Sequence, residues 1–274
     1  MSRIQELCKE LNARGEGVLI GHLMAGDPDL VKGSEYARAL IAGGLDVLEL
    51  GIPFSDPMAD GPTLQAAGTR ALKAGTTPTA IFELVKGLRR EAPIPIVLMT
   101  YYNPVLSIGE ETFLKRSLEA GVDGVIVSDL PVEEAASFIT HARRHRIDTI
   151  FLATPETPDE RLKTIASETI GFLYIISRKT ADQMSVNASL ETLIRRIRAL
   201  VLPELPIAVG FGISHPAQVG AAIRAGAQGV IVESVLAERI ATGSSPEQLR
   251  EFVQALKADT RPTLTVPAHA PQSS

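Results

Sequence analysis

Residues 42–51 read AGGLDVLELG, 120–129 read AGVDGVIVSD and 225–234 read AGAQGVIVES. Each begins with Ala-Gly, where a glycine in the left-handed conformation ends a helix. Each then runs into an apolar, valine-rich stretch, the pattern of a strand buried on both faces. A helix stop leading at once into a buried strand is the joint of a repeating β/α unit, and the same alternation extends along the chain. Apolar runs lie at 18–26, 45–51, 94–101, 124–130, 148–153, 171–177, 205–212 and 229–234, with helix-like segments between them. Nearly continuous apolar strands alternating with helices imply a parallel sheet covered by helices. Eight such units favour a closed (β/α)8 TIM barrel over an open doubly wound sheet. Ahead of the first strand, Ile4, Leu7, Cys8 and Leu11 recur at helical spacing and predict an additional N-terminal helix with Cys8 in its apolar stripe. The barrel domain is expected over 1–259, and the Pro-, Ser- and Thr-rich segment 260–274, which has no periodicity, reads as a disordered end.

Of the 274 residues, 45% are hydrophobic, enough for one large domain with its own core. A formal net charge of −5 and the absence of a long Lys/Arg run exclude nucleic acid or an anionic membrane as the main partner, and leave a small molecule or another protein. One cysteine cannot form an internal disulfide, which fits a reducing compartment. The opening MSRIQELCKELNARGEG lacks the apolar core of a signal peptide, and no run reaches the ~18 apolar residues of a membrane span. A cytoplasmic location is therefore expected.

Aligned residue for residue, the three repeats put Glu49 in the slot of Val127 and Val232. Side chains alternate along a strand, so Val47, Glu49 and Gly51 share a face. If that face is the barrel interior, Glu49 replaces an inner valine near the C-terminal mouth, where barrel enzymes hold their active sites. A carboxylate there is costly unless it is paired or used. The following loop, IPFSDPMADGP (52–62), holds Asp56 and Asp60 among three prolines. Two carboxyls of unequal burial, one on a strand and one on a loop, can divide acid and base roles. GFGIS (210–214) and Ser234 follow the seventh and eighth strands, whose loops in barrel enzymes offer backbone N–H groups to phosphate. His22 is open between core and pocket. His141 and His145 have the i, i+4 spacing of a metal pair, but within HARRHR they read as a solvated helix face. With no P-loop, Cys cluster or GxSxG motif, neither cofactor nor metal is indicated.

LELGIPFSDPMADGPT (48–63), together with AGDP (25–28), MTYYNPVL (99–106), DLPVEE (129–134) and VGFGIS (209–214), resembles the tryptophan synthase alpha chain family across nearly the whole length. The resemblance implies a TIM-barrel lyase that cleaves indole-3-glycerol phosphate to indole and glyceraldehyde 3-phosphate, with no cofactor of its own. It also implies a beta chain as partner in an alpha2-beta2 complex, with pyridoxal phosphate confined to that partner. By the same resemblance Glu49 is the acid/base at indole C3 and the glycerol hydroxyl, and Asp60 acts at the indole nitrogen. Tyr101, Tyr174 and Phe211 line the indole pocket, and Gly212 and Ser234 hold phosphate. Two segments depart from the family pattern. In SRKTADQMS (177–185), Asp182 and Gln183 stand where a Thr-Gly pair is usual, and Glu233 replaces the glycine of a Gly-Ser pair. A carboxylate at 233 repels a phosphate dianion unless it turns away or a cation such as Lys179 compensates. Two alternatives stay open: a paralogue using the same carboxyls on a related non-phosphorylated substrate, and a catalytically weak subunit that mainly binds and regulates a beta chain.

Overall fold

The computed structural model describes residues 1–176, 188–210 and 212–261, with the side chains of 188 and 189 left aside. The described strands, all parallel, are β1 (Val18–Met24), β2 (Val47–Gly51), β3 (Ile96–Thr100), β4 (Gly124–Val127), β5 (Asp148–Thr149), β6 (Leu152–Ala153), β7 (Leu173–Ile176), β8 (Ile207–Gly210) and β9 (Gly229–Val232). Their order is β5-β4-β3-β2-β1-β9-β8-β7-β6. β5 and β6 are the two halves of the run 148–153. The chain between them keeps bonding on both sides: the Ile150 N–H donates to the Val125 carbonyl at 3.1 Å and the Tyr174 N–H to the Phe151 carbonyl at 3.2 Å. The two ends of the strand order thus meet in one continuous segment, and the sheet curls into a TIM-type barrel.

Two apolar layers follow from the alternation of side chains. The larger core lies between strands and helices and includes Leu48, Leu50, Leu98, Val125, Val127, Val230 and Val232. The smaller fills the barrel with Ile20, Val47, Val97, Ile126, Ile150, Tyr174, Ala208 and Ile231. It also takes in Ile4, Cys8 and Leu11 from the N-terminal helix Arg3–Ala13, as the sequence pattern predicts.

The repeat alignment needs one correction. The left-handed glycine is Gly44 in the first repeat (φ 96°), not Gly43, and Gly121 and Gly226 in the others (φ 93° and 101°). Counted from these, Glu49 matches Ile126 and Ile231, whereas Val127 and Val232 face the helices. The extra glycine in AGG offsets an ungapped alignment by one residue, and in a strand one residue changes the face. Glu49 does face the interior, in the place of an isoleucine. The same count exposes a shared device: Asp46, Asp123 and Gln228, each two residues past the glycine, accept an N–H at the start of the neighbouring strand. The donors are Leu19 at 2.7 Å, Ile96 at 2.8 Å and Ile207 at 3.0 Å.

Thr260, assigned above to the tail, is fully buried, and its carbonyl accepts the Gly17 N–H at 2.8 Å. Order therefore extends past residue 259, because this carbonyl helps close the bottom of the barrel; 262–274 lie outside the described residues. Short helices also follow β3 (Tyr102–Ile108) and β9 (Ser234–Ala241).

At Gly226 an added Cβ meets only Ile194 at 3.5 Å, so the obstacle to a side chain is backbone conformation. Gly226→Ala is expected to cost about 1–2 kcal/mol of stability in urea unfolding, and Gly226→Asn less.

Candidate active site

At the mouth, the pairing of β1 with β2 sets His22 directly beside Glu49. Both are buried, at 3% and 0% exposure, and His22 Nδ1 lies 2.8 Å from Glu49 Oε1. Two opposing effects act on the imidazole. Burial disfavours its charge, but the hydrogen bond and charge of Glu49, with Glu233 and Asp60 behind, outweigh that and leave its pKa above the ordinary 6.5. Space for the ring comes from Gly51, two residues beyond Glu49 on the same face. A Cβ there would stand 2.9 Å from both Cε1 and Nε2 of His22. The sequence reading left His22 open. The missed signal was a polar residue in an otherwise apolar strand, VLIGHLM, adjacent to the strand that carries Glu49.

The loop after β2 is anchored at its start by the Ile52 N–H donating to the Met99 carbonyl at 2.8 Å. It carries Asp60 back to the mouth, where Oδ1 accepts the Tyr101 hydroxyl at 2.8 Å. That hydroxyl in turn accepts the Ala59 N–H at 3.0 Å, and the Tyr101 ring packs on Phe54 with centroids 5.4 Å apart. Burial raises the Asp60 pKa, and the Tyr101 hydrogen bond and His22 hold the rise back. Asp56 stays at the exposed surface, joined to Ser55. Loop 25–28 is pinned from below by a pair the sequence did not reveal: buried Asp27 takes a two-pronged bond from Arg70 at 2.6 and 2.7 Å.

Tyr174 is fully buried within the barrel and approaches Gly210 so closely that a Cβ there would lie 2.8 Å from its ring. Its hydroxyl donates to Glu233 Oε1 at 2.5 Å. Glu233 thus turns its carboxyl toward the interior. Burial raises its pKa, His22 opposes the rise, and Glu49 adds to it. Glu233 is also the N-cap residue of the helix Ser234–Ala241, so Ser234 opens that helix, exposed at the rim. Gly212, at φ 62°, is exposed just past β8. Of the residues expected in the site, Glu49, Asp60, Tyr101 and Tyr174 converge on the mouth, and Gly212 and Ser234 lie on its rim. Phe211 and the segment 177–185 lie outside the described residues.

A parallel barrel with two carboxyls of unequal burial at its C-terminal mouth, each held by its own ring partner, has the build of a barrel enzyme, with the pair at the end where such enzymes hold their active sites. The family model described as tryptophan synthase alpha chain matches residues 8–264. The tryptophan synthase alpha chain of Methanosarcina acetivorans is 43% identical over 93% of this chain and 93% of its own length. That of Gloeobacter violaceus is 44% identical over 93% and 94%. Among solved structures, a tryptophan synthase complex from Pyrococcus furiosus superposes with a TM-score of 0.81 at 42% identity, covering 89% of this chain and 98% of that one. The tryptophan synthase alpha subunit of Legionella pneumophila gives 0.87 at 32%, covering 95% and 98%. The chain belongs to the tryptophan synthase alpha chain family, and is a carbon–carbon lyase.

Tyr101→Phe removes a donor that favours ionised Asp60. It is expected to move the Asp60 titration, followed by carboxyl NMR, to higher pH and to lower stability by about 1 kcal/mol.

Proposed function

We propose that this chain cleaves indole-3-glycerol phosphate to indole and glyceraldehyde 3-phosphate, with Glu49 and Asp60 dividing the proton chemistry. The observation that carries the reading is the state of Glu49: one oxygen is held by His22 and the other, Oε2, has no hydrogen-bond partner among the described residues. Protonated Glu49 delivers its proton to indole C3, which places positive charge on the ring nitrogen, where the Asp60 carboxylate stabilises it. The same Glu49 then takes the proton of the glycerol hydroxyl. The O–H pair becomes the new C=O bond, the electrons of the breaking C–C bond return to the ring, and indole leaves with Glu49 reprotonated.

Tyr101 fixes Asp60 and Tyr174 walls the indole pocket. Phosphate is assigned to the backbone N–H groups at Gly212 and at the start of the helix Ser234–Ala241. The inward turn of the Glu233 carboxyl supports this assignment, because it leaves the helix terminus without that side chain over it. A second reading, in which the same pair acts on an indole glycerol lacking phosphate, is favoured by the presence of Glu233 itself, an acidic residue next to an anion site. The partner is a tryptophan synthase beta chain, which takes up the indole and carries the pyridoxal phosphate; the alpha chain supplies no cofactor. The reading assigns the reaction to the cytoplasm; among the described residues no helix is long and apolar enough to cross a membrane.

Indole release from indole-3-glycerol phosphate and from its dephosphorylated analogue, with and without a beta chain, tests the proposal. Turnover of the phosphorylated substrate is expected, stimulated by the partner and reduced at least about 100-fold by Glu49→Gln. Turnover of the analogue alone supports the second reading, and no turnover of either substrate overturns both.

A further inference from the structure

His22, Glu49 and Glu233 stand at the mouth ends of three neighbouring strands, β1, β2 and β9. One imidazole nitrogen and one oxygen of each carboxylate lie within 4.8 Å of one another. The set is more than an acidic cluster, because it holds a buried atom with no hydrogen-bond partner among the described residues, Glu49 Oε2. An unpartnered buried polar atom is costly, and a ligand that engages it recovers the loss. Charge points to the sign of that ligand. Glu49 and Glu233, with Asp60 acting on both His22 and Glu233, face the single imidazole of His22. Among the described residues the carboxylates at this site outnumber the cations, which calls for a positive ligand.

We propose that His22, Glu49 and Glu233 form a binding site for a divalent transition-metal cation of the Zn2+ or Mn2+ type. One imidazole and two carboxylates suit such ions. Donors bound at about 2.1 Å to one ion stand at most about 4.2 Å apart. The set therefore closes by only a small rotation of the carboxyl groups. The ion takes the lone pair of His22 Nδ1 and one from each carboxylate, the proton held between Nδ1 and Glu49 leaves to solvent while the ring keeps its proton on Nε2, and the remaining positions fall to water. Tyr174 stays on Glu233 as an outer hydrogen-bond donor, which orients that ligand. The consequence rests on the function proposed above: a Glu49 held by metal cannot relay protons, so the cation competes with substrate and silences the lyase.

The test needs no substrate, so its failure is separable from failure of the lyase reading. The full chain is titrated with Zn2+ and with Mn2+ by calorimetry, and crystals soaked in Zn2+ are examined by anomalous diffraction. Expected are one ion per chain, an anomalous peak between His22, Glu49 and Glu233, and an affinity lowered at least about tenfold in both His22→Gln and Glu233→Gln. The diffraction experiment uses the unmodified chain, so it decides even if a variant fails to fold. No peak at that position, or binding unchanged in both variants, overturns the proposal.

Discussion

Parallel pairing of β1 with β2 is the constraint on which the site depends. It aligns His22 with Glu49 across the ladder, 2.8 Å apart at the nearest ring nitrogen and carboxylate oxygen. A lone carboxylate taken into a barrel interior loses several kcal/mol of hydration. The neighbouring imidazole offsets that loss on one oxygen and leaves the other, Oε2, buried without a partner among the described residues. Neither side chain could sit there without the small residues around them. Gly51 clears space for the His22 ring, as Gly210 does for Tyr174 on the opposite side. Below, the barrel is filled by aliphatic side chains and by Ile4, Cys8 and Leu11 of the N-terminal helix, which makes the polar layer at the top a local exception in an apolar core.

The two carboxyls differ in how they are held. Glu49 belongs to a strand and is fixed by backbone register. Asp60 belongs to a loop whose start is tied to β3 and whose end is tied to Tyr101, the residue that follows β3. Both attachments lead to the same strand, so a loop residue keeps a defined position relative to a strand residue. Glu233 adds a third carboxyl just past β9, joined to Tyr174, and its inward turn leaves the N-terminus of the following helix without a side-chain cap from it.

Much of this was legible in the residues. The alternation of apolar runs and helices was enough for the barrel, and the charge at position 49 marked the mouth. What misled was the glycine count: AGG holds one residue more than AG before the strand, and only the backbone angles show that Gly44 is the left-handed one. The identity of Glu49's neighbour was also hidden, because residues 27 positions apart meet only once the strand register is known. The same holds for Asp27 with Arg70 and for Tyr174 with Glu233. Local patterns report which face a side chain takes, whereas partners across a ladder depend on how strands are staggered. Glu233 was visible as a departure at an anion site, but the direction of its carboxyl follows from Tyr174, 59 residues away.

The central claim is that Glu49 delivers a proton to indole C3, a step that in reverse takes a proton from that carbon. Hydrogen exchange at that carbon measures this step directly, using indole alone and therefore independently of the phosphate end. Indole incubated with the chain in deuterated buffer should exchange its C3 hydrogen, followed by proton NMR, and Glu49→Gln should reduce the rate to that of buffer. Exchange no faster than in buffer with the unmodified chain, or equally fast in Glu49→Gln, would contradict the account.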